Sequence, residues 1–134
     1  MPATDVVFYK DRSGAVPVLA WLDELQSTDR IGWANCVARI ERLAEVGHQL
    51  RRPEAEYLRD GILELRAKHG HVQYRLLYFF FGKNVAVLAH SIVKEGSAMP
   101  AMDIERALRR KAEVEKNSKL HTFKQEFPHG DEDD

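Results

Sequence analysis

Cysteine is nearly absent: Cys36 is the single one in 134 residues. A lone thiol forms no internal disulfide and excludes a cysteine-rich metal site. Cys36 falls on an apolar helical face, where burial makes a thiolate costly, so it reads as core packing. This cysteine usage points to the reducing cytoplasm. Long apolar runs are also missing, and none approaches the ~18–20 residues that a membrane span needs. The first residues, MPATDVVFYKDRSG, lack a basic region followed by an apolar stretch and a small-residue cleavage site, so no secretory signal is expected. Charge of one sign is not in excess: 20 basic side chains face 21 acidic ones.

What is present is the balance of an ordinary globular domain, 44% hydrophobic and 31% charged. The charge is unevenly placed. Residues 121–134 carry Glu126, Asp131, Glu132, Asp133 and Asp134 against Lys124. The remaining 120 residues hold 19 basic and 16 acidic side chains, a net +3, which permits contact with RNA. The chain reads as one domain over residues 1–115, followed by a tail, 116–134, acidic and disordered at its end. Such an end could also mimic phosphate and cover a basic face.

Asp5 to Lys10 reads as a first strand, and Ser13-Gly14 as a turn. Pro17 suits the first position of a helix. Val18, Trp21, Leu22 and Leu25 then recur at helical spacing. Thr28 is the expected N-cap of a second helix, whose stripe is Trp33, Cys36, Val37, Ile40, Leu43 and Ala44, with Arg39 mostly outside it. Gly47 ends that helix. Residues 50–60 are polar, contain Pro53 and read as a connection. The period then changes to two. Leu63, Leu65 and Ala67 alternate with Glu64, Arg66 and Lys68. His69-Gly70-His71 turns the chain into an aromatic-rich strand over 73–81, covered on both faces. Gly82-Lys83-Asn84 leads to a third β-branched run over 85–93. Pro100 opens a last helix with Ile104, Ala107 and Leu108 inside and Arg106, Arg109, Arg110 and Lys111 outside. The order is β-α-α-β-β-β-α, an α+β domain with a helical hairpin packed on a mostly antiparallel sheet.

One ordered set of segments resembles a known family. Leu58-Arg-Asp60-Gly61, Glu64-Leu65-Arg66, Tyr74-Arg75, Tyr78-Phe79, Val93-Lys94 and Pro100 are similar to the signature of the RelE/HigB toxin superfamily, in particular its phage-derived HigB-like branch. The resemblance runs from about Val6 to Lys111. It implies the RelE-like microbial RNase fold. It also implies the toxin of a type II toxin–antitoxin pair, an endoribonuclease that cleaves mRNA at the ribosome and inhibits translation. The implied partners are mRNA, the ribosome and a cognate antitoxin of the helix-turn-helix class. The alternative is a member with weak or no catalysis that binds an antitoxin or a host factor.

Metal-free RNA cleavage uses the substrate's own 2′-OH. It needs a base for that proton, cations for the phosphorane charge and an acid for the 5′-oxygen. The resemblance places Arg75 at the scissile phosphate, and a guanidinium can hold two phosphate oxygens at once. The competing role for Arg75 is a strand ion pair with Glu64. Arg66 reads as a second phosphate contact or as half of an internal Arg–Glu pair, and Lys94 as an active-site lysine or a surface one. His90, His69, His71 and Glu95 are the acid–base candidates. His69 and His71 also suit plain turn residues, and His90 a hydrogen-bonded structural one. Lys68, Arg109 and Arg110 are candidate RNA contacts. No cofactor or metal is expected, since nothing supplies further ligands near the His69/His71 pair. His48, His121 and His129 read as surface residues.

Overall fold

A computed structural model describes residues 4–94, 96 and 98–125. Strand β1 (Asp5–Tyr9) leads into a helical hairpin, α1 (Pro17–Thr28) and α2 (Arg30–Val46). Pro17 stands in the first turn of α1, where no N–H is required. The hairpin corner corrects the expected cap. Thr28 belongs to α1 and donates its hydroxyl to Glu24 O, while Asp29 caps α2 by accepting from Gly32 N at 2.9 Å. Gly47 ends α2 at φ 62°.

Residues 50–60 are not a plain connection, because Ala55–Arg59 forms strand β2 at the sheet edge. Ala55 pairs with Leu65, and Tyr57 with Leu63. Its Glu56 and Arg59 are what a strand with one open edge carries, and that polarity hid it. The meander follows as expected: β3 (Ile62–His69), β4 (Val72–Phe81) and β5 (Val85–Lys94). The sheet order is β2-β3-β4-β5-β1, with a sixth strand beyond β1. All pairings are antiparallel except β1 with β5, giving the mostly antiparallel sheet of a RelE-like α+β fold.

Both sheet faces are covered because β4 is apolar on both. Tyr74, Leu76 and Tyr78 pack with Leu65, Leu22, Cys36 and Ile40 under the hairpin. Leu77 and Phe79 pack on the other face with Ile62, Val87 and Ala89, beneath Ile104, Ala107 and Val114 of α3 (Ala101–Lys116). Residues beyond 116 begin as structure, not tail. Helix α4 (Ser118–His121) and β6 (Thr122–Phe123) return the chain to β1, with Phe8 opposite Phe123 and Tyr9 opposite Thr122. His121, expected at the surface, is 8% exposed. Its ring stacks on Tyr9 and its Nδ1 lies 2.8 Å from Lys10 O. The acidic end, 126–134, lies outside the described residues, as does His129. Among the described residues no helix is long and apolar enough to cross a membrane.

Candidate functional site

Residues directly opposite one another in an antiparallel ladder project to the same side of the sheet. The registers of β3, β4 and β5 therefore place three rows on one face: Glu64–Leu77–His90, Arg66–Arg75–Ile92 and Lys68–Gln73–Lys94. Helix α3 covers the Leu77 end of that face. Beyond it the face becomes polar and opens into a cleft of about 400 Å³. Four cations line this cleft, Arg39, Arg66, Lys68 and Arg75, together with Pro53, Ala67 and Gln73.

Arg39 reaches the cleft from α2 because β2 stops short. Past the Ala55–Leu65 pair, β3 keeps β4 on one side but has no strand on its outer edge. Its backbone groups find other partners, as the desolvation cost of unpaired amides requires. Arg66 N donates to Glu54 O at 2.9 Å. Arg39 Nε donates to Arg66 O at 2.7 Å, and Asn35 Nδ2 to Lys68 O at 2.8 Å. The side chain that caps the open edge thus also delivers a fourth cation.

Carboxylates temper this charge. Glu54 pairs with Arg39 and Arg42, and Glu56 with Arg52 and Arg66. Glu64 lies between two guanidiniums, 3.0 Å from Arg66 Nε through Oε2 and 3.5 Å from Arg75 Nε through Oε1. Both residues of the latter pair are buried, Glu64 2% and Arg75 7% exposed. Neither Oε1 nor Arg75 Nε has a hydrogen-bond partner among the described residues. The terminal nitrogens of Arg75 donate to Tyr74 O at 3.1 Å and to Gln73 Oε1 at 2.7 Å. Burial lowers the Arg75 guanidinium pKa from its ordinary value; Glu64 opposes this and Arg66 adds to it.

The other sequence candidates divide. Lys94 sits opposite Gln73, and its Nζ donates to Gly96 O at 2.8 Å. His69 has Nδ1 2.8 Å from Asp29 Oδ1, the cap of α2, which also accepts from Tyr74 Oη through its other oxygen. His71 is exposed in the β3–β4 turn. His90 shares the face of Arg75 but contacts Asp103 at the start of α3, at 2.7 Å. Burial lowers the His90 pKa, with Asp103 opposing. Arg110 donates to Ala89 O and lies over the Tyr9 ring, and Arg109 is exposed on α3. Neither lines the cleft. Glu95 lies outside the described residues. Cys36 is fully buried and its thiol is pushed up to about 12 by burial, which keeps it un-ionised.

Sequence reasoning missed Arg39, Gln73 and the burial of Glu64. Gln73 was legible as the partner of the strand-end lysines. Arg39 was not, since its position beside β3 depends on where α2 crosses the sheet.

Four cations on one cleft have the chemistry that an anion requires. Guanidiniums on adjacent strands can hold neighbouring oxygens of one anion once they exchange their present partners, Glu64 and Glu56 for Arg66 and Gln73 for Arg75. Residues 20–112 match the family described as phage derived protein Gp49-like, which covers more than half of the chain. The chain belongs to that family, a toxin-like group related to RelE and HigB. No curated protein matches the chain.

Proposed function

We propose that this member of the Gp49-like family is the toxin of a type II toxin–antitoxin pair and an endoribonuclease acting on mRNA at the ribosome. The observation that carries the reading is the convergence of Arg66, Lys68 and Arg75, on strands whose motifs resemble the superfamily, with Arg39 of α2 on one cleft. In this reading the scissile phosphate sits against Arg75 and Arg66. The 2′-oxygen attacks the adjacent phosphorus and the bond to the 5′-oxygen breaks. The two guanidiniums stabilise the extra negative charge of the intermediate state. Lys68 and Lys94 hold flanking phosphates. The 2′-hydroxyl loses its proton to a base and the departing 5′-oxygen gains one from an acid; His90 shares the sheet face but is held by Asp103 at the start of α3, outside the lining of the cleft. A helix-turn-helix antitoxin is the expected inhibitor.

A second reading has its own support. Glu54, Glu56 and Glu64 offset much of the cationic charge and Arg75 is 7% exposed. These features suit a member that has lost catalysis and acts by binding an antitoxin or host factor. Inducible expression in a bacterium, with primer extension on a reporter mRNA, separates the two. The toxin reading expects growth arrest and new cleavage sites in translated mRNA, both lost in a folded Arg75→Ala variant. Soluble protein giving neither arrest nor cleavage overturns it in favour of the binding role.

A further inference from the structure

The same sheet edge carries a second cavity of about 460 Å³. Leu63 and Phe80 line it and pack on the core beneath. His48, Arg51, Tyr57 and Lys111 surround them. This is an aromatic and cationic set with no part in the chemistry above.

Its aromatic rings are held and exposed. Tyr57 is 59% exposed, far more than tyrosine burial favours, yet it is anchored: its hydroxyl accepts from Gly61 N at 3.0 Å. The His48 ring stacks on Phe80 with centroids 3.7 Å apart and planes 18° from parallel. His48 is itself exposed, so the stack presents an open ring to solvent. The cations are placed as firmly. Arg51 Nη1 donates to His48 O at 2.6 Å and Leu50 O at 3.1 Å. Lys111 lies along the β2–β3 turn, where a Cβ on Gly61 would come 3.1 Å from its Cε. Its Nζ meets Glu115 at 2.9 Å.

Rings open on one face, beside cations and over an apolar base, are what an unpaired nucleobase and its phosphate require. The cavity opens on the hairpin side of the sheet, where Leu63 and Phe80 face, and the first cleft on the other side, where Arg66 and Arg75 face; the loop before β2 borders both. Arg51 lines one and Pro53 the other, two residues apart in one segment. Along β3, the four steps from Arg66 to Ile62 span roughly 13 Å. An RNA strand of several nucleotides that passes round the β2 edge reaches both. We propose that the cavity is a second subsite for single-stranded RNA. It holds an unpaired base against Tyr57 or the His48–Phe80 stack, with Arg51 and Lys111 on the adjoining phosphate. The proposal rests on the reading of the cationic cleft as an RNA site.

The test uses the full chain and 2′-O-methyl RNA, which binds but lacks the nucleophile, with fluorescence anisotropy as readout. A dinucleotide fills the cleft alone and an octanucleotide spans both sites. The double variant Tyr57→Ala/His48→Ala alters exposed rings, and its fold is checked by its unfolding midpoint. It is expected to weaken the octanucleotide roughly ten-fold or more and to leave the dinucleotide unchanged. Tyr57→Phe in the wild-type background retains affinity. Lys111→Gln weakens the octanucleotide and lowers its salt dependence. Octanucleotide binding that needs Arg75 but not Tyr57 or His48 overturns the subsite and leaves the cleft standing. Binding that needs Tyr57 and His48 but not Arg75 supports the subsite and overturns the cleft. Absence of binding overturns both. If ending the chain after Gln125 tightens octanucleotide binding and removes its dependence on Tyr57, the cavity belongs to the acidic residues 126–134 and the proposal fails.

Discussion

Replacing Glu64 with leucine removes a carboxylate that is 2% exposed and serves two guanidiniums. Losing one partner of a buried ion pair costs about 3–5 kcal/mol, because the surviving charge is left uncompensated. Two features put Glu64→Leu at the low end. Arg66 keeps its contact with Glu56, and Arg75 keeps Tyr74 O and Gln73 Oε1. A loss of about 3 kcal/mol is expected. Arg75→Met alone leaves Glu64 its 3.0 Å bond to Arg66 and is expected to cost about 2 kcal/mol. The double variant removes both members and restores apolar volume, so it costs about 2 kcal/mol, well below additivity. The coupling is then about 3 kcal/mol. Urea unfolding near neutral pH measures all four proteins, provided that the slope with denaturant is shared. Single variants costing under about 0.5 kcal/mol, or a double variant equal to the sum, would show that Glu64 is not the buried counter-ion of Arg75. The unpaired Oε1 and Nε would then reflect two weakly interacting groups.

Much of this architecture was legible in the sequence, and the exceptions share one cause. Leu65 and Ala67 alternate with Arg66 and Lys68, which is a local signal and gave β3. The meander then brings Arg66, Lys68 and Arg75 to one face as soon as the register is closed by a short turn. The segments that were missed depend on distant partners. Edge strand β2 has a polar composition, and its pairing with β3 is all that distinguishes it from a loop. Strand β6 pairs with residues more than a hundred positions earlier in the chain, and nothing near Thr122 signals that. Likewise, alternation assigned Glu64 to the charged face but could not show that it is buried between two arginines. His121 looked like a surface residue because the strand that buries it is β1.

Two further outcomes follow from local geometry. A Cβ on Gly32 would lie 2.3 Å from Asp29 Oδ2 and 2.7 Å from Tyr74 Cε2, atoms already fixed by the α2 cap. Gly32→Ala should therefore destabilise by about 1–3 kcal/mol despite alanine's helix preference of about 1 kcal/mol; an unchanged urea midpoint would show that the cap yields freely. His90 gives a pH dependence of definite sign. Burial holds its folded pKa below the ordinary value of about 6.5, against the pull of Asp103 and with Arg110 and Arg106 adding to the shift. The unfolded chain therefore takes up the proton first as pH falls. The stabilisation is fully present above about pH 6.5 and is lost as pH drops through the lower folded pKa. His90→Gln should flatten the decline in urea midpoint between about pH 7.5 and pH 5, the interval in which an imidazole titrates. If wild type and variant fall in parallel, the neutral imidazole under α3 contributes nothing to stability, and its burial reflects only the packing of α3 against β5.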